Sequence, residues 1–239
     1  MSVEKFEWDN EIAEWAMIKN KYGSLLSYNL PRYNRSYATC KYQGYITEML
    51  ESELYSIFVD VGAFIGLFSQ IASHYCDKVI AYEAHPFYFG ILLLNMRYFT
   101  NVSCRYKYIS SEEIIPTIDD DIKGLITIDS EKPYCVECVS LDDEYGFGIP
   151  IPERCLIKLD VEGNELNVLK GSKKTLQRSY IHWIIDVHTN RGITSEEVLK
   201  YFPKRKITMI SPKVIKVEGK EDYEEANKHM HERLMRGDF

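Results

Sequence analysis

The chain has 239 residues, of which 45% are hydrophobic and 27% are charged. This length suits one large domain with small additions, whose core needs no disulfide or metal staples. The formal net charge of −7 argues against a surface broadly suited to nucleic acid or to an anionic membrane, because both require an excess of Lys and Arg.

The N-terminal 23 residues carry acids where a secretory signal needs basic residues, and no run of 18 apolar residues occurs in the chain. We therefore expect a soluble, cytoplasmic protein with no membrane partner.

The C-x-x-C pair at Cys135 and Cys138 has no second ligand pair for zinc, and its surroundings alternate like a strand. Structural disulfides are not expected in the cytosol.

Residues 1–45 are expected to form an N-terminal extension. Hydrophobic residues from Phe6 to Tyr22 recur at near-helical spacing, which predicts an amphipathic helix over residues 3–22 that stops at Gly23. Residues 24–45 are tyrosine-rich and lack a period, so we expect a loop that covers the domain or its ligand. A lid that stacks on a sugar or aromatic acceptor competes with ordinary packing of these rings.

From residue 46 onwards, strand-like and helix-like segments alternate, beginning with a short helix at 46–54. Near-continuous apolar strands are predicted in "YSIFVDVG", "KVIAYEA", "VSCRYKYIS", "CLIKLDVEG" and "IHWIIDVH". This alternation predicts a doubly wound α/β fold, in which helices cover both faces of a mostly parallel sheet. "KITMISP" and "VIKVEG" are further strand candidates, and the charged tail at 221–239 is expected to form a helix.

Two strand-like runs, "GLITIDSE" and "YCVECVSLDD", interrupt the alternation between the third and fourth strands. Lys132 and Pro133 suit a turn between them. We therefore predict an inserted β-hairpin.

Acidic side chains and a histidine follow the predicted strands at the edge where a doubly wound sheet binds its ligand. They are Asp60 after the first strand, Glu83 after the second, Asp160 and Glu162 after the fourth, and Asp186 and His188 at the fifth. Such acids would repel a phosphate, but they suit a nucleoside that has free hydroxyls and a cationic group.

The loop after the first strand has the pattern D-x-G-x-x-x-G, which matches neither the dinucleotide fingerprint nor a P-loop. Gly62 would let the backbone bend and a ligand approach, and Gly66 would let the next helix pack against the strand or the ligand. Glu83 can accept hydrogen bonds from two ribose hydroxyls. Together these features predict a nucleoside-binding site rather than a plain structural turn.

"FVDVGAFIGLFS" followed by "VIAYEAHP" resembles the S-adenosylmethionine (SAM) loop and ribose-binding acid of class I methyltransferases. "VSLDD" followed by "LIKLDVEGNELNVLKGSKKTL" resembles the FkbM-type methyltransferase family, with the resemblance covering residues 55–190. It implies a Rossmann-like, mostly parallel sheet of seven strands in a methyltransferase domain at 46–220, to which the inserted hairpin and the N-terminal helix are additions. Phe64 departs from the family's usual Asn, Ala84 from its Pro, and Asp186 from its more frequent Glu.

The resemblance implies SAM as the cofactor and assigns it a set of loop and strand-end residues. The set is Asp60, Gly62, Ala63, Phe64, Gly66, Glu83, Ala84, Ser110 and Asp160. Asp60 and Gly62 would hold the methionine part, and Glu83 the ribose hydroxyls. Ser110 would lie by the adenine, and Asp160 near the methyl donor.

Methyl transfer requires alignment of the acceptor with the methyl group, and a hydroxyl acceptor also needs a general base. The candidate catalytic residues are Asp160, Glu162 and His188, although a plain capping role for His188 is equally open. Glu165 is better explained as an acid at a helix N-terminus. A divalent cation at Asp160 and Glu162 is an alternative that the sequence does not predict, because a third carboxylate at clear spacing is missing.

The sequence therefore predicts a SAM-dependent methyltransferase, with a hydroxyl of a sugar or small metabolite as the expected acceptor. A non-catalytic SAM-binding module is one alternative, which Phe64 favours slightly. Another nucleotide-cofactor enzyme, such as a nicotinamide oxidoreductase, is a second, but its third glycine is missing. The acidic balance and the lack of an N-P-P-Y-like motif after the fourth strand disfavour methylation of nucleic acid.

Overall fold

The computed structural model describes residues 2–7, 14–28, 41–111, 117–118, 126–127, 136–145 and 154–219. The predicted C-terminal helix at 221–239 lies outside these residues, as do Cys135 and most of the tyrosine-rich segment. Within the described ranges, no helix has the length and apolar character needed to cross a membrane.

The N-terminal segment forms an antiparallel sheet of three strands, β1 (Ser2–Glu7), β2 (Glu14–Asn20) and β3 (Gly23–Tyr28). The predicted helix over residues 3–22 is therefore wrong. The local turn chemistry explains the difference, because Asn20 pairs with Gly23 across a two-residue connection and its Oδ1 accepts from the Tyr22 N–H at 2.7 Å. Gly23, read as a helix stop, instead begins β3 with a φ of 134°.

The rest of the described chain alternates between helices and strands, as predicted. Its elements are α1 (Lys41–Ser52), β4 (Ile57–Val61), α2 (Leu67–Ala72), β5 (Lys78–Glu83), α3 (Pro86–Met96), β6 (Val102–Ile109), β7 (Thr117–Ile118), β8 (Ile126–Thr127), β9 (Glu137–Val139), α4 (Leu141–Tyr145), β10 (Cys155–Leu159), α5 (Glu165–Lys170), α6 (Lys173–Gln177), β11 (Ile181–Asp186), a 3₁₀ helix (Thr189–Arg191), α7 (Ser195–Leu199), β12 (Ile207–Met209) and β13 (Val214–Val217).

The central sheet has eight strands in the order β12-β13-β11-β10-β4-β5-β6-β9. Its strands are parallel except that β13 runs antiparallel to both of its neighbours. This arrangement confirms the predicted doubly wound fold, with one strand more than the seven expected. The additional strand is β9, which pairs in parallel with β6 at the edge of the sheet.

The predicted hairpin between 124–131 and 134–143 is wrong. Strand β8 pairs with β7, and β9 joins the central sheet instead. Alternating hydrophobicity indicates that a segment pairs as a strand, but it carries no information about which strand becomes its partner.

The core lies on both faces of the central sheet. Strands β4 and β10 are buried at every residue, which explains their near-continuous apolar sequences. Phe58, Leu156 and Ile184 pack in the hydrophobic cluster on one side of the sheet. Val59 and Trp183 belong to the cluster on the other side. Each fully buried large side chain contributes about 1.5–3 kcal/mol, so these two layers fix the strands that carry the site.

The direction of the strand order reverses between β4 and β10. In the parallel pairing of these strands, Asp60 lies beside Lys158 and Val61 beside Leu159, so their following loops emerge next to each other. A reversal of this kind leaves a crevice at the carboxyl ends of the strands, where doubly wound folds bind their ligands. The residues after β4, β5, β10 and β11 all lie at this edge.

Candidate functional site

Both glycines of the loop after β4 have left-handed backbone conformations that packing requires. Gly62 has a φ of 80°, and a Cβ there would lie 1.8 Å from the carbonyl oxygen of Asp160. Gly66 has a φ of 93°, and a Cβ there would lie 2.7 Å from the Leu92 Cδ1 atom in α3. Gly62 thus allows the loops after β4 and β10 to touch, whereas Gly66 allows α2 to pack on α3.

Asp60 is fully buried and paired with a lysine that sequence reasoning missed. The Lys158 ammonium donates to Asp60 Oδ1 at 2.9 Å, and the Ser69 hydroxyl donates to Asp60 Oδ2 at 2.7 Å. Lys158, only 2% exposed, also donates to the Gly62 carbonyl at 3.0 Å. The signal that could have revealed it is a lysine inside the apolar run "CLIKL", because a buried ammonium needs an acid partner.

Glu83 joins the ends of β4 and β5 through hydrogen bonds to backbone N–H groups. Its Oε2 atom accepts from Phe64 at 2.8 Å, and its Oε1 atom accepts from His85 at 2.7 Å. Burial raises the pKa of Glu83 to about 7, although these hydrogen bonds favour the ionised form. Each carboxylate oxygen retains a second acceptor site, so the ionised group can still receive two hydroxyl protons.

Phe64 occupies a left-handed conformation with a φ of 53°, which is uncommon for a bulky residue. Its ring packs against Tyr88, with 4.2 Å between the ring centroids, and Tyr88 lies 4.7 Å from the His85 ring. Asn, which the resemblance gives as the usual residue here, tolerates this conformation better. Beside this aromatic cluster, Ala63 is buried and Ala84 is half-buried.

Three buried polar atoms near the ends of β5 and β6 have no hydrogen-bond partner within the described part of the chain: the hydroxyls of Ser110 and Ser111, and the Nδ1 atom of His85. Ser110 is 1% exposed, and its backbone N–H donates to the Val139 carbonyl at 3.0 Å. Buried polar atoms in native proteins usually have a partner. Their position between neighbouring strand ends therefore fits a polar ligand that would supply one.

The structure brings the three predicted catalytic residues, Asp160, Glu162 and His188, together. His188 Nε2 lies 3.4 Å from Glu162 Oε2 and 3.8 Å from Asp160 Oδ1, and its Nδ1 lies 2.7 Å from Glu165 Oε1. Burial lowers the pKa of His188, but the hydrogen bonds to Glu162 and Glu165 and the charge of Asp160 outweigh burial and raise it to about 11. His188 is therefore an imidazolium at neutral pH.

Glu165 has a larger role than the helix N-terminus alone would give it. It is the first residue of α5, as expected for an acid that favours the helix dipole, but its side chain is fully buried. One carboxylate oxygen contacts His188 and accepts from the Gly163 N–H at 3.1 Å. The sequence could not reveal this contact, because the two side chains are 23 positions apart.

Asp186, at the end of β11, completes the acidic surroundings. Burial and the charge of Asp160 raise the pKa of Asp186 to about 6. Ligand-type atoms of Asp160, Asp186 and His188 lie within 4.8 Å of one another. This set shares Asp160 with the pair considered from the sequence, but it does not include Glu162. Binding of a metal ion at this set would require His188 to lose its proton, because an imidazolium has no free lone pair.

The fold is a doubly wound α/β domain whose strand-end acids and glycines collect at its switch point. The family model of the methyltransferase FkbM domain matches residues 60–233. The chain is 30% identical over 177 residues to the hexuronic acid methyltransferase AglP of Haloferax volcanii. This match covers 72% of this chain and 71% of that protein. The chain belongs to the FkbM methyltransferase family, whose chemistry implies SAM as the methyl donor.

Solved structures show more distant similarity. The methyltransferase FkbM from Methylobacillus flagellatus matches with a TM-score of 0.46 and 16% identity, over 68% of this chain. This chain spans 43% of the length of that protein. SMU.1697c from Streptococcus mutans, a putative methyltransferase in complex with S-adenosylhomocysteine (SAH), matches with a TM-score of 0.45 and 13% identity, over 74% of this chain and 97% of that one.

Proposed function

We propose that this protein is a SAM-dependent O-methyltransferase whose acceptor is a hydroxyl of a sugar. The observation that carries the proposal is the contact between the two halves of the site. The Gly62 loop, which with Glu83 fits a nucleoside, touches the loop of Asp160, which belongs to the acid–histidine cluster. The name of the relative AglP supports a sugar acid as the first acceptor to test.

The cofactor is proposed to lie across the carboxyl ends of β4, β5 and β6. Ionised Glu83 would accept hydrogen bonds from both ribose hydroxyls. The hydroxyls of Ser110 and Ser111, which have no partner among the described residues, would bind polar atoms of the adenine. Phe64 and Ala84 would flank the adenosine, and Gly62 would leave room for the methionine part. When bound, SAM supplies a methyl carbon attached to a positively charged sulfur.

The proton of the acceptor hydroxyl is proposed to go to Asp160. The contacts of His188 with Glu162 and Glu165 raise its pKa and favour the charged form, which makes Asp160 the better candidate for the base. Asp160 is partly exposed and lies between two cations, 3.7 Å from Lys158 and 3.8 Å from His188. Asp160 would accept the proton of the acceptor hydroxyl as that oxygen is methylated. Glu162 and His188 would orient the acceptor through hydrogen bonds.

Calorimetric titration with SAH, followed by labelled-methyl transfer to a hexuronic acid and to a neutral hexose, tests this proposal. We expect SAH to bind, Glu83→Ala to weaken its binding, and the label to appear on a sugar hydroxyl. Absence of SAH binding, together with no effect of Glu83→Ala, would contradict the proposal. Binding without transfer to any acceptor in a cell extract would favour the non-catalytic module instead, and a clear NADH fluorescence signal would favour the oxidoreductase.

A further inference from the structure

A buried lysine lies where the loops after β4 and β10 meet. Besides its bonds to Asp60 at 2.9 Å and to the Gly62 carbonyl at 3.0 Å, the Lys158 ammonium lies 3.7 Å from Asp160 Oδ2. The Phe68 ring covers it, with 5.2 Å from the nitrogen to the ring centroid. One cation therefore joins the loop proposed to bind the methionine part with the residue proposed to stand beside the methyl group.

The charge of this cation matters because the two ligands of a methyltransferase site differ in charge at one atom. The sulfur of SAM is a positively charged sulfonium, whereas the sulfur of SAH is a neutral thioether. An uncompensated ammonium beside Gly62 and Asp160 would repel the first and leave the second unaffected. Such repulsion is strong away from bulk water, so the negative charge of Asp60 at 2.9 Å is needed to offset it.

We infer, resting on the proposed function, that Lys158 and Asp60 form a positioning pair whose opposite charges cancel. The lysine can then hold the Gly62 loop without weakening the preference of the site for the cationic cofactor over its neutral product. Lys158 holds the Gly62 loop and orients Asp160, and Asp60 compensates the charge of Lys158. Asp60 then acts through Lys158 and not as a direct partner of the methionine ammonium, because its side chain is fully buried and its oxygens accept from Lys158 and Ser69.

The test measures the dissociation constants of SAM and SAH by calorimetry and compares their ratio among variants. In Asp60→Asn the lysine loses its nearest carboxylate and keeps the more distant Asp160 at 3.7 Å, so SAM binding should weaken relative to SAH by on the order of tenfold. In Lys158→Met the acid is uncompensated, and the ratio should shift by a similar factor in the opposite direction. The double variant Asp60→Asn/Lys158→Met carries neither charge, and its ratio should return close to that of the wild type.

Two control variants separate this effect from a general loss of structure. Lys158→Arg keeps the charge and should keep the wild-type ratio. Lys216→Met removes a lysine that is paired with Glu53 at 3.2 Å at the opposite edge of the sheet, and it should also leave the ratio unchanged. Circular dichroism reports whether each variant folds. If a single variant does not fold, the double variant, which buries no unpaired charge, remains available for comparison with Lys158→Arg.

The outcomes distinguish this inference from the proposed function. If the wild-type protein binds SAH but every folded variant weakens SAM and SAH equally, the pair has only a structural role and the inference is overturned. A double variant that retains the ratio of either single variant would overturn it as well. If the wild-type protein binds neither ligand, the proposed function fails and the inference fails with it.

Discussion

Strand β11 contains His182 near its amino end, and His188 follows two residues after its carboxyl end. The two rings have opposite electrostatic surroundings. At the amino end, burial and the charge of Arg154 lower the pKa of His182 to about 4. Beyond the carboxyl end, the contacts with Glu162 and Glu165 overcome burial and raise the pKa of His188 to about 11. At neutral pH the uncharged form is therefore favoured for His182 at one edge of the sheet, and the charged form for His188 at the other.

The two edges differ in the balance of their charges. At the amino edge, Glu53 accepts from the Tyr55 hydroxyl at 2.6 Å and from Lys216 at 3.2 Å, and it also binds Arg154. Within the described residues, each of these three charged side chains has an opposite partner. At the carboxyl edge, acids outnumber cations, and Glu162 leaves 56% of its side chain exposed. Paired charges of this kind stabilise the fold, whereas an excess of accessible acids can act on a ligand.

The largest expected effect is on kcat for methyl transfer, and it is tested by replacing one acid at each edge of the sheet. Asp160→Asn should lower kcat for methyl transfer by about 10²–10⁴-fold, because it removes the proposed general base. Glu53→Gln should leave kcat within about twofold of the wild type and lower the thermal midpoint instead. Labelled-methyl transfer and circular dichroism give the two readouts. An equal loss of kcat in a folded Glu53→Gln variant would contradict the functional distinction between the edges.

Replacing His188 with Gln should destabilise the protein by about 3 kcal/mol at pH 6, because buried Glu165 loses its charged partner. The pKa of His188 is raised in the folded state, so its contribution is complete below the unfolded pKa of about 6.5 and declines as pH rises toward 11. The difference between wild type and variant should therefore narrow from pH 6.5 to pH 9.5. Denaturant unfolding across this range measures it, and a constant difference would show that His188 is not charged in the folded protein.

Replacing His182 with Gln should change stability in the opposite pH window. Its pKa is lowered in the folded state, so wild-type stability is retained above pH 6.5 and is lost as pH falls toward 4, by about 2–3 kcal/mol. The variant lacks this titration, and its unfolding free energy should fall less steeply between pH 6.5 and pH 4. Parallel slopes for the two proteins would contradict the lowered pKa.

The smallest expected effect concerns Glu83, whose pKa of about 7 makes SAH binding sensitive to pH. Protonation removes an acceptor for a ribose hydroxyl, so affinity should fall by about tenfold between pH 8 and pH 5.5. Glu83→Gln should bind more weakly than the wild type at pH 8, and its affinity should be nearly independent of pH over this range. Calorimetric titration of both proteins with SAH tests this prediction. An equal pH dependence of affinity in both would assign the effect to another group.

Local patterns predicted the parts of the fold that depend on neighbouring residues in the chain. Continuous apolar runs predicted β4, β10 and β11. The same patterns misled at the N-terminus, where near-helical spacing gave way to a hairpin. They also gave the wrong partner for β8, which pairs with β7 and not with the segment at 134–143.

The sequence by itself determined the doubly wound sheet and the edge at which its acids and glycines collect, because burial period and strand-end position are local properties. Tertiary structure alone decided that Lys158 compensates Asp60, that Glu165 reaches His188, and that His182 and His188 differ in charge. The physical reason is that charge depends on which groups surround an atom in space, and those groups come from distant parts of the chain.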